Sequence, residues 1–249
     1  MTDGIGGGGG NGSGTARRGK AGRARTVLGF ALFGIAAVSI VAGTHALVYF
    51  TTVRFLGIAD GRARVAIAIA LAALAFSFPV SAALVHLKPC WVTNFLITAS
   101  MTWVGLLIYL VIASALVWAV FGVAHAGGWG WDMGLVCAAA FGAALAMTGF
   151  GVVSASSPEL RRIDVAIEGL PGAWKGKTVV HLSDLHLGST RGAGYMRRVA
   201  DEVRAIDPEV VLITGDLFDG MGGDFEEVLG PLDELTARKG VFFATGNHE

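Results

Sequence analysis

Apolar positions follow two regimes along the chain. From Val27 to Val153 they form long runs, and from Lys177 onward they come as short runs or at helical spacing, each closed by Gly, Asp, His or Asn. Four of the long runs, Val27 to Phe50, Val65 to Leu87, Phe95 to Val123 and Met133 to Val153, reach the roughly 20 helical residues needed to cross a hydrocarbon core of about 30 Å. One such run could be a buried helix of a soluble protein. Four in succession predict a polytopic α-helical membrane bundle.

The second regime predicts an α/β unit. After a linker at Ser154 to Glu159, KTVVHLS (Lys177 to Ser183) reads as a strand. A helix follows near Tyr195 to Ile206, with Tyr195, Val199, Val203 and Ile206 on one face and charges opposite. EVVLITGD is a second strand, apolar enough to be buried on both faces. A helical stretch around Phe225 to Arg238 should break or restart at Gly230-Pro231, and VFFAT is a third strand that reads as buried. The organisation predicted is a Gly-rich basic N-terminus (1–25), a four-span region (26–153), a linker and domain entry (154–176), and the first part of a soluble domain (177–249).

Charge sharpens the division. Between Val27 and Val153 the charged side chains are Arg54, Asp60, Arg62, Arg64, Lys88 and Asp132, while His45 and His86 fall close to the ends of runs and His125 lies beyond one. Ion pumps and proton-coupled transporters place ionisable groups at mid-membrane, so the pattern argues for anchoring over transport. Ala138, Gly142 and Ala146, at spacing four, would let helices approach closely.

The opening MTDGIGGGGGNGSGTARRGKAGRAR has almost nothing to bury and is expected to be disordered. Its Arg17, Arg18, Lys20, Arg23 and Arg25 favour a cytoplasmic N-terminus, and four crossings would return the soluble unit to the same side. Arg54, Arg62 and Arg64 would then face outward, against the same rule. Arg17-Arg18 also invites a twin-arginine export reading with THA near Ala46 as cleavage site. Against it, Gly19 and Lys20 stand where an apolar residue is preferred, and three further spans follow. Cys90 and Cys137 offer neither a disulfide framework nor a metal pattern.

Parallel strands joined by right-handed crossovers bring their closing turns to one sheet edge, the edge where open α/β folds place ligands. Three polar turns would meet there: Asp184 and His186 from the first, Gly215, Asp216 and Asp219 from the second, Gly246, Asn247, His248 and Glu249 from the third. Singly, each turn has a bland explanation, since Asp and Asn favour loop conformations. Together, carboxylate, imidazole and carboxamide are the donors that hold divalent metals of hard to intermediate character.

As an ordered set, DLH, GDLFD and GNHE resemble the first three blocks of the calcineurin-like metallophosphoesterase superfamily, over roughly Thr178 to Glu249. The preceding spans resemble its bacterial membrane-anchored members. The resemblance implies part of an αββα sandwich and a centre of two divalent ions, Mn, Fe or Zn, that hydrolyses a phosphate mono- or diester with metal-activated water. It further implies that Asp184 and His186 bind the first ion, Asp216 bridges both and Asn247 binds the second. His248 would contact the phosphate and protonate the leaving group as general acid, with Glu249 orienting its ring. Asp219, Gly215 and Gly246 would support the turns. Family members continue with a further His and a Gly-His-x-His block, so the chain is expected to be truncated after the third block and impaired in hydrolysis.

Two functions from different classes compete. One is a multi-pass, membrane-anchored phosphoesterase whose catalytic domain lies on the cytoplasmic face, where a lipid-linked or nucleotide-lipid substrate would explain the anchor. The other is a membrane interaction or sensor protein with a catalytically incomplete phosphoesterase-like domain. The lipid bilayer is the expected partner in both, and the sequence sets no oligomeric state. Nucleic acid is not expected, because ten Lys or Arg face sixteen Asp or Glu from Ser154 onward and no aromatic-basic stripe occurs.

Overall fold

The computed structural model describes residues 12–188, 191–219 and 225–247, with side chains described at 26–188, 191–219 and 229–247. The first half is four helices, α1 (Gly12–Phe55), α2 (Gly61–Leu87), α3 (Trp91–Ala126) and α4 (Met133–Ala155), each long and apolar enough to cross a membrane. Of residues 1–25, expected to be disordered, 1–11 lie outside the described residues and 12–25 are helical. Their Ala, Arg and Lys are good helix formers, and extending an existing helix costs far less than nucleating one.

The two acids among the described residues of this half are helix caps. Asp60 accepts from the amides of Arg62 (3.3 Å) and Ala63 (3.0 Å) ahead of α2, and Asp132 accepts from those of Gly134 (2.9 Å) and Leu135 (3.1 Å) ahead of α4. Each satisfies amides that have no partner within the helix.

Helix α3 packs against both α2 and α4. One apolar cluster joins Val48, Leu110, Ala113 and Ala144, and a second joins Phe55, Val117 and Cys137. Trp118 Nε1 donates to Thr51 Oγ1 at 3.0 Å, and Ser81 and Ser100 share a 2.7 Å hydrogen bond between α2 and α3. The stripe Ala138, Gly142 and Ala146 is exposed, and the inward face of α4 is instead Cys137, Ala140, Phe141 and Ala144. The larger side chains of that face fill the space between helices, which the smaller stripe would leave empty.

Beyond α4 a short 3-10 turn (Gly172–Trp174) leads into β1 (Val179–Leu182), α5 (Ala193–Ile206), β2 (Val210–Thr214), α6 (Phe225–Asp233) and β3 (Val241–Ala244). The strands form a parallel sheet in the order β1-β2-β3, pairing Val180 with Val211 and Ile213 with Phe243. Helix α6 continues through Pro231 and ends at Asp233, so the expected break falls only at its close. Arg198 of α5 donates to the carbonyl of Ser156, at the exit of α4, at 2.7 Å.

The core of this unit is Leu185, Leu187, Met196, Val199, Ala200, Val203, Val211, Ile213, Leu217 and Leu235. Burying such side chains stabilises the fold by about 1.5–3 kcal/mol for each large one. The helices cover a single face of the sheet. Val211 and Ile213 are therefore buried, while Leu212 and Thr214 of the same strand are exposed. This corrects the expectation that β2 is buried on both faces, while β3, apolar enough to be buried, is exposed at all four residues. An apolar run reports that a strand can be buried, whereas coverage depends on what packs against it.

At the edge where the strands begin, Lys177 Nζ lies 2.6 Å from Glu209 Oε1, and Arg238 pairs with Asp207, the left-handed C-cap of α5. The amide of Glu209 donates to Thr178 O at 2.9 Å and that of Lys239 to Glu209 O at 2.8 Å, tying the three strand entries together.

Candidate metal centre

At the opposite edge, β1 runs into Ser183-Asp184-Leu185-His186-Leu187. Leu185 and Leu187 are buried in the core. The alternation in DLHL thus anchors every second residue and leaves Asp184 and His186 between the anchors. β2 runs into Gly215-Asp216-Leu217-Phe218, where Leu217 is the corresponding anchor.

The two turns are stitched together through their backbones. His186 donates its amide to Asp216 O at 2.9 Å, Leu187 to Leu217 O at 2.7 Å, and Asp219 to Leu187 O at 3.0 Å. The result gathers Asp184, His186 and Asp216 so that one ligand atom from each lies within 4.8 Å of the others. His186 Nε2 stands 3.9 Å from Asp184 Oδ1 and 3.9 Å from Asp216 Oδ2. The side chain of Asp216 is 16% exposed, that of His186 33% and that of Asp184 67%, so the group opens to solvent on the Asp184 side.

The backbone is unusual where the donors sit. Asp184, His186 and Asp216 have φ of 56°, 46° and 50°. The only other non-glycine residue with positive φ among those described is Asp207, a helix C-cap, at 49°. Left-handed conformations cost a side-chain-bearing residue about 1–2 kcal/mol, and such strain clusters where function requires it.

Two glycines bring the third turn in. Gly215 has φ 83°, and a Cβ there would stand 2.6 Å from the Cα of Gly246. A Cβ on Gly246 would in turn overlap the carboxylate and amide of Asp216. Asn247, exposed, follows directly on this contact. His248 and Glu249 lie outside the described residues. Asp219 stands against Gly188, where any Cβ would collide with its carboxylate.

Other residues of the site carry no motif in the sequence. Ser183 Oγ donates to Asp184 Oδ2. Arg191 Nη1 donates to the carbonyls of Asp184 (3.2 Å) and Leu185 (3.1 Å), with its guanidinium over the ring of Tyr195, Cζ 5.2 Å from the centroid. Arg191 holds the left-handed turn from outside, a role set by loop closure and invisible in residue order. His181 and Thr214 share a 2.6 Å hydrogen bond across β1 and β2 on the uncovered face.

Two carboxylates and an imidazole at these separations suit a divalent ion of the Mn, Fe or Zn class, which takes mixed O and N donors. Residues 177–249 match the calcineurin-like phosphoesterase family. The chain is similar to a transmembrane protein with metallophosphoesterase domain from Danio rerio, 37% identical over 40% of this chain and 23% of the relative. A protein of the same description from Bos taurus is 35% identical over 39% and 22%, and an uncharacterized metallophosphoesterase of Campylobacter jejuni is 32% identical over 37% and 24%. The chain thus spans less than a quarter of the length of these relatives. No solved structure matches it.

Proposed function

We propose, from a calcineurin-like metallophosphoesterase segment set behind four membrane-length helices, that this chain is the anchored, metal-holding part of a phosphoester hydrolase. The observation that carries the reading is the convergence of Asp184, His186 and Asp216 within 4.8 Å, each in a left-handed backbone conformation. Bound ions would supply positive charge against the phosphoryl oxygens and an activated water.

The chain's own residues would divide the remaining work. Asp184 and His186 would hold one ion, Asp216 would be shared with a second, and Asn247 would reach the second from the third turn. Ser183 and Arg191 would keep Asp184 in place. His248, with Glu249 beside it in sequence, would donate a proton to the leaving oxygen, a task suited to an imidazole of near-neutral pKa. By this count a second ion finds two protein ligands here, Asp216 and Asn247, so the 249-residue chain by itself would hold it weakly and turn over slowly. The domain would lie at the cytoplasmic face, and a lipid-linked phosphoester would make use of the anchor.

The test is a longer chain carrying the family's later His blocks, purified in detergent and loaded with manganese, assayed on a chromogenic phosphodiester and on a lipid phosphoester. Turnover abolished by Asp216→Asn supports hydrolysis. Retained metal with no turnover of either ester would overturn it in favour of the binding or sensor function.

A further inference from the structure

The connector between α1 and α2 holds an open pocket of about 380 Å³, with Phe50, Val53 and Ile58 forming apolar wall and the exposed Arg54 and Arg64 supplying two guanidinium groups. Both cations are held in place. Arg64 Nε donates to the carbonyl of Ile58 at 2.7 Å, which leaves its terminal amino groups for a ligand. Arg54 lies over the face of Phe121, Cζ 5.6 Å from the centroid, and Phe121 packs edge-on against Phe55 and Trp118. The neighbouring carboxylate, Asp60, is engaged by the amides of Arg62 and Ala63 and does not line the cavity.

The cavity sits at one end of the bundle. A Cβ on Gly134, at the start of α4, would stand 3.1 Å from the carbonyl of Phe55, so the α1–α2 and α3–α4 connectors share that end. Trp129 and Trp131 stack in the second connector with centroids 5.5 Å apart, as aromatic residues do at headgroup depth. The exit of α4 toward the phosphoesterase segment is at the other end. With the N-terminus on the cytoplasmic side, as the basic residues ahead of α1 favour, Arg54 and Arg64 would stand on the side where the charge rule for loops disfavours basic residues, which calls for a reason other than topology.

The geometry points to a binding site for the net-anionic, phosphate-bearing headgroup of a glycerophospholipid, in the leaflet opposite the phosphoesterase segment. Paired guanidinium groups match phosphate oxygens in fork geometry, and the Phe50, Val53 and Ile58 wall accepts the glycerol and upper acyl carbons. The inference stands independently of the proposed hydrolysis.

The experiment uses the 249-residue chain in detergent with equal phosphatidylglycerol and phosphatidylcholine, scoring bound lipid by native mass spectrometry. Phosphatidylglycerol should be retained over phosphatidylcholine. Arg64→Gln, which leaves the Arg54 contact with Phe121 intact, should weaken retention about fivefold, and Arg54→Gln with Arg64→Gln about 25-fold, on the scale of one basic side chain at an anionic surface. Arg62→Gln, off the cavity, should change nothing, and thermal unfolding in detergent confirms that each variant is folded. Equal retention of the two lipids, or an Arg62→Gln loss matching that of Arg64→Gln, overturns the site. Displacement of phosphatidylglycerol by millimolar inorganic phosphate assigns the cavity to a soluble anion and overturns the lipid assignment.

Discussion

Gly215 and Gly246 meet backbone to backbone: a Cβ on the first would come within 2.6 Å of the Cα of the second. This contact sets the third turn beside Asp216. Gly215→Ala combines a left-handed φ penalty of about 1–2 kcal/mol with an overlap that only separating the turns can relieve. The variant should unfold at lower temperature and lose manganese more readily on dialysis. Metal retention equal to that of the native chain would show that the turns need not touch.

Removing donors from the cluster should weaken metal binding directly. Asp184→Asn, His186→Gln and Asp216→Asn should each lower manganese affinity by at least about 10–100-fold, the range for loss of a group that merely supports a ligand. Isothermal titration on the 249-residue chain measures this without reference to turnover. Unchanged affinity in Asp216→Asn would remove it from the centre.

Arg191 should act through the turn it braces. Arg191→Ala removes the donor to the carbonyls of Asp184 and Leu185 and should weaken metal binding by less than loss of a ligand. Arg191→Lys should rescue only part, because an ammonium can donate to the carbonyls but cannot reproduce the planar stacking on Tyr195. Manganese affinity of the two variants checks the order.

The far edge of the sheet should govern acid stability. Hydrogen bonding from Lys177 holds the Glu209 carboxyl below its ordinary 4.5, and hydrogen bonding from Arg238 holds Asp207 below 3.8. Carboxyls lowered in the folded state add stability that is complete above their unfolded values and is lost as pH falls through the folded ones. Thermal stability should thus drop below about pH 4.5, and Glu209→Gln should flatten that drop. An unaltered pH profile would exclude the pair as its source.

In the bundle, Thr51→Val leaves Trp118 Nε1 without its acceptor across α1 and α3. Interhelical hydrogen bonds in membranes are worth about 0.6 kcal/mol and up to ~1.7, so the variant should unfold in detergent with a loss in that range. The native chain should stay in the pellet through carbonate extraction.

The order of elements was determined by the sequence alone, because run length and periodicity are local properties. Four apolar runs of membrane length became α1 to α4, and VVHL, VVLIT and VFFA became three parallel strands in chain order. DLH, GDLFD and GNHE likewise marked the polar turns that close the strands, whereas the anchoring of Leu185, Leu187 and Leu217 came with the packed core. Tertiary structure decided what depends on a neighbour distant in the chain. Leu212 and Phe242 are exposed although their runs are apolar, since α5 and α6 cover only the other face. Ala138, Gly142 and Ala146 face outward because Cys137, Ala140 and Ala144 fit against α3 and α1. Asp184, His186 and Asp216 take left-handed backbones, and Arg191 finds two carbonyls, only once the turns have closed on one another. A side chain's type sets which contacts it can make, and the packed chain around it decides which one forms.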